Sequence, residues 1–182
     1  MKYSSRKRIY ESTVWNMKIL YPDEYLSQVY DIDFERLYGQ GYRAVLFDVD
    51  NTLVPFDQVD AHDELIGLMA TLKKMGYKVA LVSNNSKVRV ETLNQGLKVP
   101  VMPNAMKPFT YKLKRILKVI GVDPHNAIFV GDQIFTDVWV GNRLGLYTIL
   151  VKPIQTREQM VTFIKRRTER ILLNRYLKKE GR

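Results

Sequence analysis

Five short apolar runs recur along the chain, over residues 44–47, 78–82, 99–102, 127–130 and 147–151. Runs of four or five mostly branched or aromatic residues suit strands buried on both faces of a sheet. Between the first two, Leu65, Leu68, Met69 and Leu72 repeat at helical intervals within a stretch from Asp60 to Met75 that Gly76 stops. The spacing predicts further helices over residues 87–95, 110–120 and 135–144, and a last one from Thr156 into a basic tail. Strands that alternate with helices call for a parallel sheet covered on both faces. The expectation is a three-layer, Rossmann-like α/β fold around five parallel strands. Upstream, Tyr21-Pro22-Asp23 reads as a helix start with proline at the first position, and Asp33 to Tyr38 as a short helix stopped by Gly39 or Gly41.

At 182 residues the chain suffices for one domain with a substantial core. The expected arrangement is a basic, aromatic-rich extension over residues 1–42 packed on a core of 43–155, with a basic helix over 156–182, all one domain. The aromatics from Tyr10 to Tyr42 read first as packing against the sheet edge and second as a belt at a membrane interface. With no cysteine, disulfides, thiolate metal sites and cysteine nucleophiles are excluded. No apolar run approaches a membrane span, and the N-terminus lacks the apolar segment expected of a secretory signal. A cytoplasmic protein is the expectation. His62 and His125, far apart in sequence, read as surface or capping residues rather than ligands.

Buried strands offer polar groups only where they end, and here the ends are unusual. The first run stops at Asp48-Val49-Asp50-Asn51-Thr52, the second at Ser83-Asn84. The third leads to Lys107-Pro108, and the fourth to Gly131-Asp132, with Asp137 following. On an extended strand Asp48 and Asp50 would share one face, where they repel unless a cation or a proton intervenes. Ligand sites of parallel sheets gather beyond the carboxyl ends of the strands, so these residues are expected to meet. The set suits phosphoryl transfer. Magnesium (Mg2+) would bridge Asp48, Asp132 and a substrate oxygen. Asp48 would attack phosphorus, and Asp50 would give and retrieve a proton. Ser83 and Lys107 would hold the equatorial oxygens.

Asp48-Val-Asp-Asn-Thr-Leu, Ser83-Asn-Asn, Lys107-Pro and Gly131-Asp-Gln-x-x-Thr-Asp137 together resemble the four motifs of the haloacid-dehalogenase-like (HAD-like) phosphatases, in order. More narrowly they are similar to the YqeG-type group of subfamily IIIA, which is related to the phosphatidylglycerophosphate phosphatases of mitochondria and plastids. The resemblance covers about residues 43–152. It implies a HAD-like fold, Asp48 as nucleophile, Asp50 as acid/base, and Ser83, Asn84 and Lys107 around the phosphate. Asp132 and Asp48, with the backbone of Asp50, would serve magnesium, supported by Thr52 and Asp137.

Neither the gap after Leu53 nor that between Ser83 and Lys107 has room for a large cap domain. An open site favours a phosphate monoester carried on something large. Charge narrows the field: residues 1–8 carry +4 and residues 165–182 carry +6, which together equal the formal +10 of the chain. Such ends attract anions, and a phospholipid substrate at the inner face of an anionic membrane is the leading expectation. RNA or ribosome binding ranks second, and a protein or nucleotide phosphatase third. The apolar residues of the tail spread around its helix, which suits packing or a homodimer contact as well as lipid.

Overall fold

The computed structural model describes residues 18–58, 60–155, 160–179 and 181. Its strands are β1 (Glu24–Leu26), β2 (Ala44–Phe47), β3 (Lys78–Val82), β4 (Val101–Met102), β5 (Ala127–Gly131) and β6 (Tyr147–Val151). Its helices are α1 (Phe34–Gly39), α2 (Asp63–Lys74), α3 (Lys87–Leu97), α4 (Tyr111–Ile120), α5 (Trp139–Leu144) and α6 (Met160–Lys179). All strand pairs are parallel, in the order β1-β6-β5-β2-β3-β4.

Alternation along each strand builds two cores, one per face of the sheet. Val45 and Phe47 of β2 join Val79, Leu81, Ile128 and Val130 under Leu37, Leu65, Leu72 and Leu93 of the helices on one side. Ala44 and Leu46 join Ala80, Val82, Ala127 and Phe129 under Leu113, Ile116 and Leu117 of α4 on the other. Helix ends follow local chemistry: Asp33 accepts from Arg36 N to open α1, and Ser86 accepts from Arg89 N to open α3.

The sheet has six strands, not the expected five. The extra one is β1, which lies at the edge against β6 with Glu24 opposite Ile149. Tyr21-Pro22-Asp23 therefore leads into a strand rather than opening a helix. Asp23 N donates to Thr148 O at 2.9 Å, and the Asp23 carboxylate accepts from Thr148 N at 2.7 Å. Three residues are too few to display a period of two, so the strand leaves no pattern to read.

The aromatics described upstream of β2 pack inward. Tyr38 lies 5.2 Å from Tyr77, Tyr42 lies 5.0 Å from Tyr147, and Phe34 is buried beside Phe47. Tyr10 and Trp15 lie outside the described residues, as does the expected helix start at Thr156. Helix α6 packs on the core: Leu172 joins Ile134, Val138 and Leu150, and Tyr176 rests on Tyr21.

Candidate active site

From β2 the chain moves outward to β3 and β4, then returns to lay β5 on the other side of β2. That reversal opens a crevice beyond the carboxyl ends of β2 and β5, where ligands of such sheets bind. Asp48 and Asp132 are the residues that follow these two strands, and Asp48 N donates to Val130 O at 2.9 Å.

Lys107 arrives from beyond β4. The Asn84 side chain fixes its backbone, its Oδ1 accepting from Lys107 N at 2.7 Å and its Nδ2 donating to Lys107 O at 3.1 Å. The buried Lys107 Nζ then donates to Asp48 Oδ1 at 2.6 Å and to Asp137 Oδ1 at 2.7 Å. Asp137 comes from an element that was expected to be plain α-helix. Ile134–Val138 form a wider π-helical turn ahead of α5, a feature often found at functional sites. The turn closes on the Asp137 carboxylate, whose Oδ2 accepts from Gln133 N at 3.0 Å, while Glu169 of α6 accepts from Phe135 N. Gly131 makes room for it: a Cβ there would lie 2.4 Å from the Cβ of Asp137.

Burial shapes the charges. It pushes the Asp48 carboxyl up to about 6, with nearby Asp137 adding to the rise against the pull of Lys107. Burial alone would lower Lys107, but Asp137 and Asp48 outweigh it and hold the ammonium above the usual lysine range. One ammonium thus serves two carboxylates. Asp132 makes a third: oxygens of Asp48, Asp132 and Asp137 lie within 4.8 Å of one another, all three residues buried. Three buried carboxylates whose oxygens converge supply the hard oxygen donors that a divalent cation such as Mg2+ takes.

Asp50 stands apart from this cluster. β2 ends at Phe47, and Asn51, at φ +63, turns the chain so that Asp50 bridges Val54. The carboxylate of Asp50 accepts from Arg89 Nε at 3.1 Å, Arg89 Nη2 at 3.0 Å and Asn85 Nδ2 at 3.2 Å. Ser83 Oγ lies 3.5 Å from Asp50 Oδ2 and accepts from Asn85 N at 3.0 Å. Thr52 Oγ1 donates to Asp48 Oδ2 at 3.3 Å. The structure therefore brings Asp48, Thr52, Lys107, Asp132 and Asp137 together on one side, with Asp50 and Ser83 in an adjoining group.

Arg89 and Asn85 escaped the sequence reading. The available signal was Ser86 as the cap of α3, which sets Arg89 three residues on, facing back toward the strand ends. Arg89 Nη2 also donates to Pro55 O, tying the loop after β2 to α3. His62 precedes α2 and its Nε2 pairs with Tyr30 Oη at 2.9 Å, while His125 is exposed; neither approaches the cluster.

Residues 7–155 match the family described as mitochondrial PGP phosphatase. The chain is 34% identical over 164 residues to a Bacillus subtilis protein described as the probable phosphatase YqeG, covering 90% of this chain and 95% of that one. It is 29% identical over 158 residues to an Arabidopsis thaliana phosphatidylglycerophosphate phosphatase 1, chloroplastic/mitochondrial, covering 81% of this chain but 45% of the plant protein. Among solved structures, a HAD phosphatase from Thermococcus onnurineus shares the fold with a TM-score of 0.53 at 16% identity, over 65% of this chain and 90% of that one.

Proposed function

The chain belongs to the mitochondrial PGP phosphatase family of HAD-like phosphatases, and on that premise we propose that it is a magnesium-dependent phosphomonoesterase working through an aspartyl-phosphate on Asp48. The observation that carries this reading is the buried meeting of Lys107 with Asp48 and Asp137, at 2.6 and 2.7 Å, beside Asp132 at the switch point of the sheet.

Asp48 attacks phosphorus while the bond to the leaving alcohol oxygen breaks. Asp50, protonated for this step, gives its proton to that oxygen, then takes one from the water that cleaves the Asp48–phosphorus ester. Ser83, Asn85 and Arg89 hold the Asp50 carboxylate for the exchange, each within 3.5 Å of it. Lys107 and the Ser83 hydroxyl bind the equatorial oxygens of the phosphoryl group, and Asn84 fixes the lysine backbone for that task. Asp48, Asp132 and Asp137, with the backbone of Asp50, would hold the Mg2+. When bound, the ion neutralises the negative charge that phosphate adds to an acidic centre.

Among the described residues between Asp50 and Lys107 the named elements are α2, β3, α3 and β4, so no cap domain closes over the cleft from them. An open cleft suits a phosphate presented by a large carrier, and the name of the plant relative supports phosphatidylglycerophosphate. We place the enzyme in the cytoplasm, acting at the membrane surface. The test is phosphate release from a panel of an aryl phosphate, a nucleotide, a phosphopeptide and vesicles containing phosphatidylglycerophosphate, with Mg2+ or with chelator. Release from the vesicles that chelator abolishes is the expected result. Asp48→Asn should lower aryl phosphate turnover by on the order of a thousandfold or more, with circular dichroism unchanged. Retained turnover in that variant would remove Asp48 from its role.

A further inference from the structure

The margin of the cleft carries apolar side chains that neither core uses. Met106 (62% exposed), Phe109 (64%) and Tyr111 (73%) alternate with the buried Ala105 and Lys107 in one short segment. Beside them, Arg143 Nη1 donates to Pro108 O at 3.1 Å and its guanidinium lies 5.8 Å from the half-buried ring of Trp139.

This segment is tightly held. Ala105 N donates to Ser83 O at 2.8 Å, Asn104 N to Asn85 O at 2.9 Å, and Asn84 clasps Lys107 from both sides. Met106 sits in the left-handed region at φ +58, a conformation that a residue with a β-carbon adopts only under strain. A strained, pinned turn that buries a lysine while exposing a methionine, a phenylalanine and a tyrosine calls for a partner.

The charge of the surroundings says which kind. From Thr92 to Val122 there is no acidic residue, while Lys98, Lys107, Lys112, Lys114, Arg115 and Lys118 are basic. Lys114, Arg115 and Lys118 are exposed on α4, which begins at Tyr111. A second copy of the chain would set these cations against their like, whereas an anionic lipid surface complements them. Tyr, Trp and Phe settle at the boundary of headgroups and hydrocarbon, and each nearby Lys or Arg adds attraction to anionic lipid. No helix among the described residues is long and apolar enough to cross a membrane.

We propose that residues 106–111 with the first turns of α4 form the face that docks on an anionic bilayer and brings a headgroup phosphate to the Asp48 cleft. This rests on the phospholipid reading above and deepens it. It sets an interfacial belt at the border of the catalytic crevice, while Phe34, Tyr38 and Tyr42 of the upstream stretch pack inward.

The experiment is flotation of the full chain with phosphatidylcholine vesicles with and without phosphatidylglycerol, read beside turnover of a water-soluble aryl phosphate. The wild type should float with the anionic vesicles and much less with the neutral ones. Phe109→Ser with Tyr111→Ser should lower the bound fraction by roughly tenfold or more, and Lys114→Glu with Arg115→Glu should do the same. Both double variants should turn over the aryl phosphate like the wild type, which shows that they fold. Variants that hydrolyse the soluble ester and still float like the wild type would overturn the proposal, as would a wild type that never floats. If flotation depends on these residues in variants whose circular dichroism matches the wild type while no ester is hydrolysed, the docking face stands and the phosphatase reading falls.

Discussion

Arg89 shows how much of the site a single side chain can govern without belonging to the acidic cluster. Its Nε and Nη2 both reach one oxygen of Asp50, and Nη2 also donates to Pro55 O, so one guanidinium ties the proposed proton carrier, the loop behind it and α3 together. The pair is mostly shielded from water, with side chains 10% and 17% exposed, where such contacts hold geometry firmly. Asn85 and Ser83 reach only the other oxygen of Asp50, Oδ2, so Arg89 alone among these three holds Oδ1. Arg89→Ala should therefore lower kcat for an aryl phosphate by roughly ten- to a hundredfold while moving KM little. Arg89→Lys, which keeps the charge but not the planar fork, should fall between the two. A merely structural role would depress stability without this split, so steady-state kinetics beside a denaturant melt decides the matter.

Two elements bring Asp137 to Lys107, and each depends on the other. β5 ends on Gly131, and the π-helical turn that follows folds the Asp137 side chain back over that glycine. In Gly131→Ala the new methyl would lie 2.4 Å from Asp137 Cβ and 2.5 Å from its Oδ2, atoms anchored by Lys107 and by Gln133 N. The expected outcome is a loss of about 2 kcal/mol in a urea melt and at least tenfold in turnover, because the carboxylate must leave its place. Sequence could announce Asp137 but not this turn, since one extra residue in a helical winding does not change which residues are apolar. The same limit applies to β1, whose three residues pair through backbone and Asp23 rather than through a patterned face. By contrast β2, β3, β5 and β6 were readable because burial on both faces demands unbroken apolar runs. Asp48 and Asp132 were readable because each directly follows such a run, and Lys107 because it lies beyond the shorter apolar run that holds β4. Arg89 and Asn85 were not, because their partner, Asp50, lies 39 and 35 residues away, and a bond across that interval leaves no periodic trace.

At the scale of the molecule, the sheet gathers its charge into one dry place. Asp48, Asp132 and Asp137 are 6%, 5% and 1% exposed, and the Lys107 ammonium bonds to Asp48 and Asp137. Folding without a cation must therefore bring three carboxylates out of water and near one another, and that opposes the stability the two cores supply. A ligand that binds the folded chain alone shifts the balance by its own mass action. Mg2+ at a hundredfold excess over its dissociation constant should add about 2.7 kcal/mol, which for a chain of this length is a rise in Tm of about 5–10 °C. Chelator should reverse it, and a monovalent salt at matched ionic strength should not reproduce it. Asp137→Asn removes one charge from the cluster while keeping an oxygen for Lys107. It also turns an amide nitrogen toward Gln133 N, which donates to Asp137 Oδ2 in the wild type, so each chain is read against its own metal-free Tm, and the gain from Mg2+ should shrink by at least half. Glu91→Gln, on the solvent side of α3, should leave the Mg2+ gain unchanged. Calorimetric scans of the three chains across a Mg2+ series carry the comparison. A wild type whose Tm ignores Mg2+, or an Asp137→Asn chain that responds to it in full, would mean that these carboxylates are not gathered around a cation.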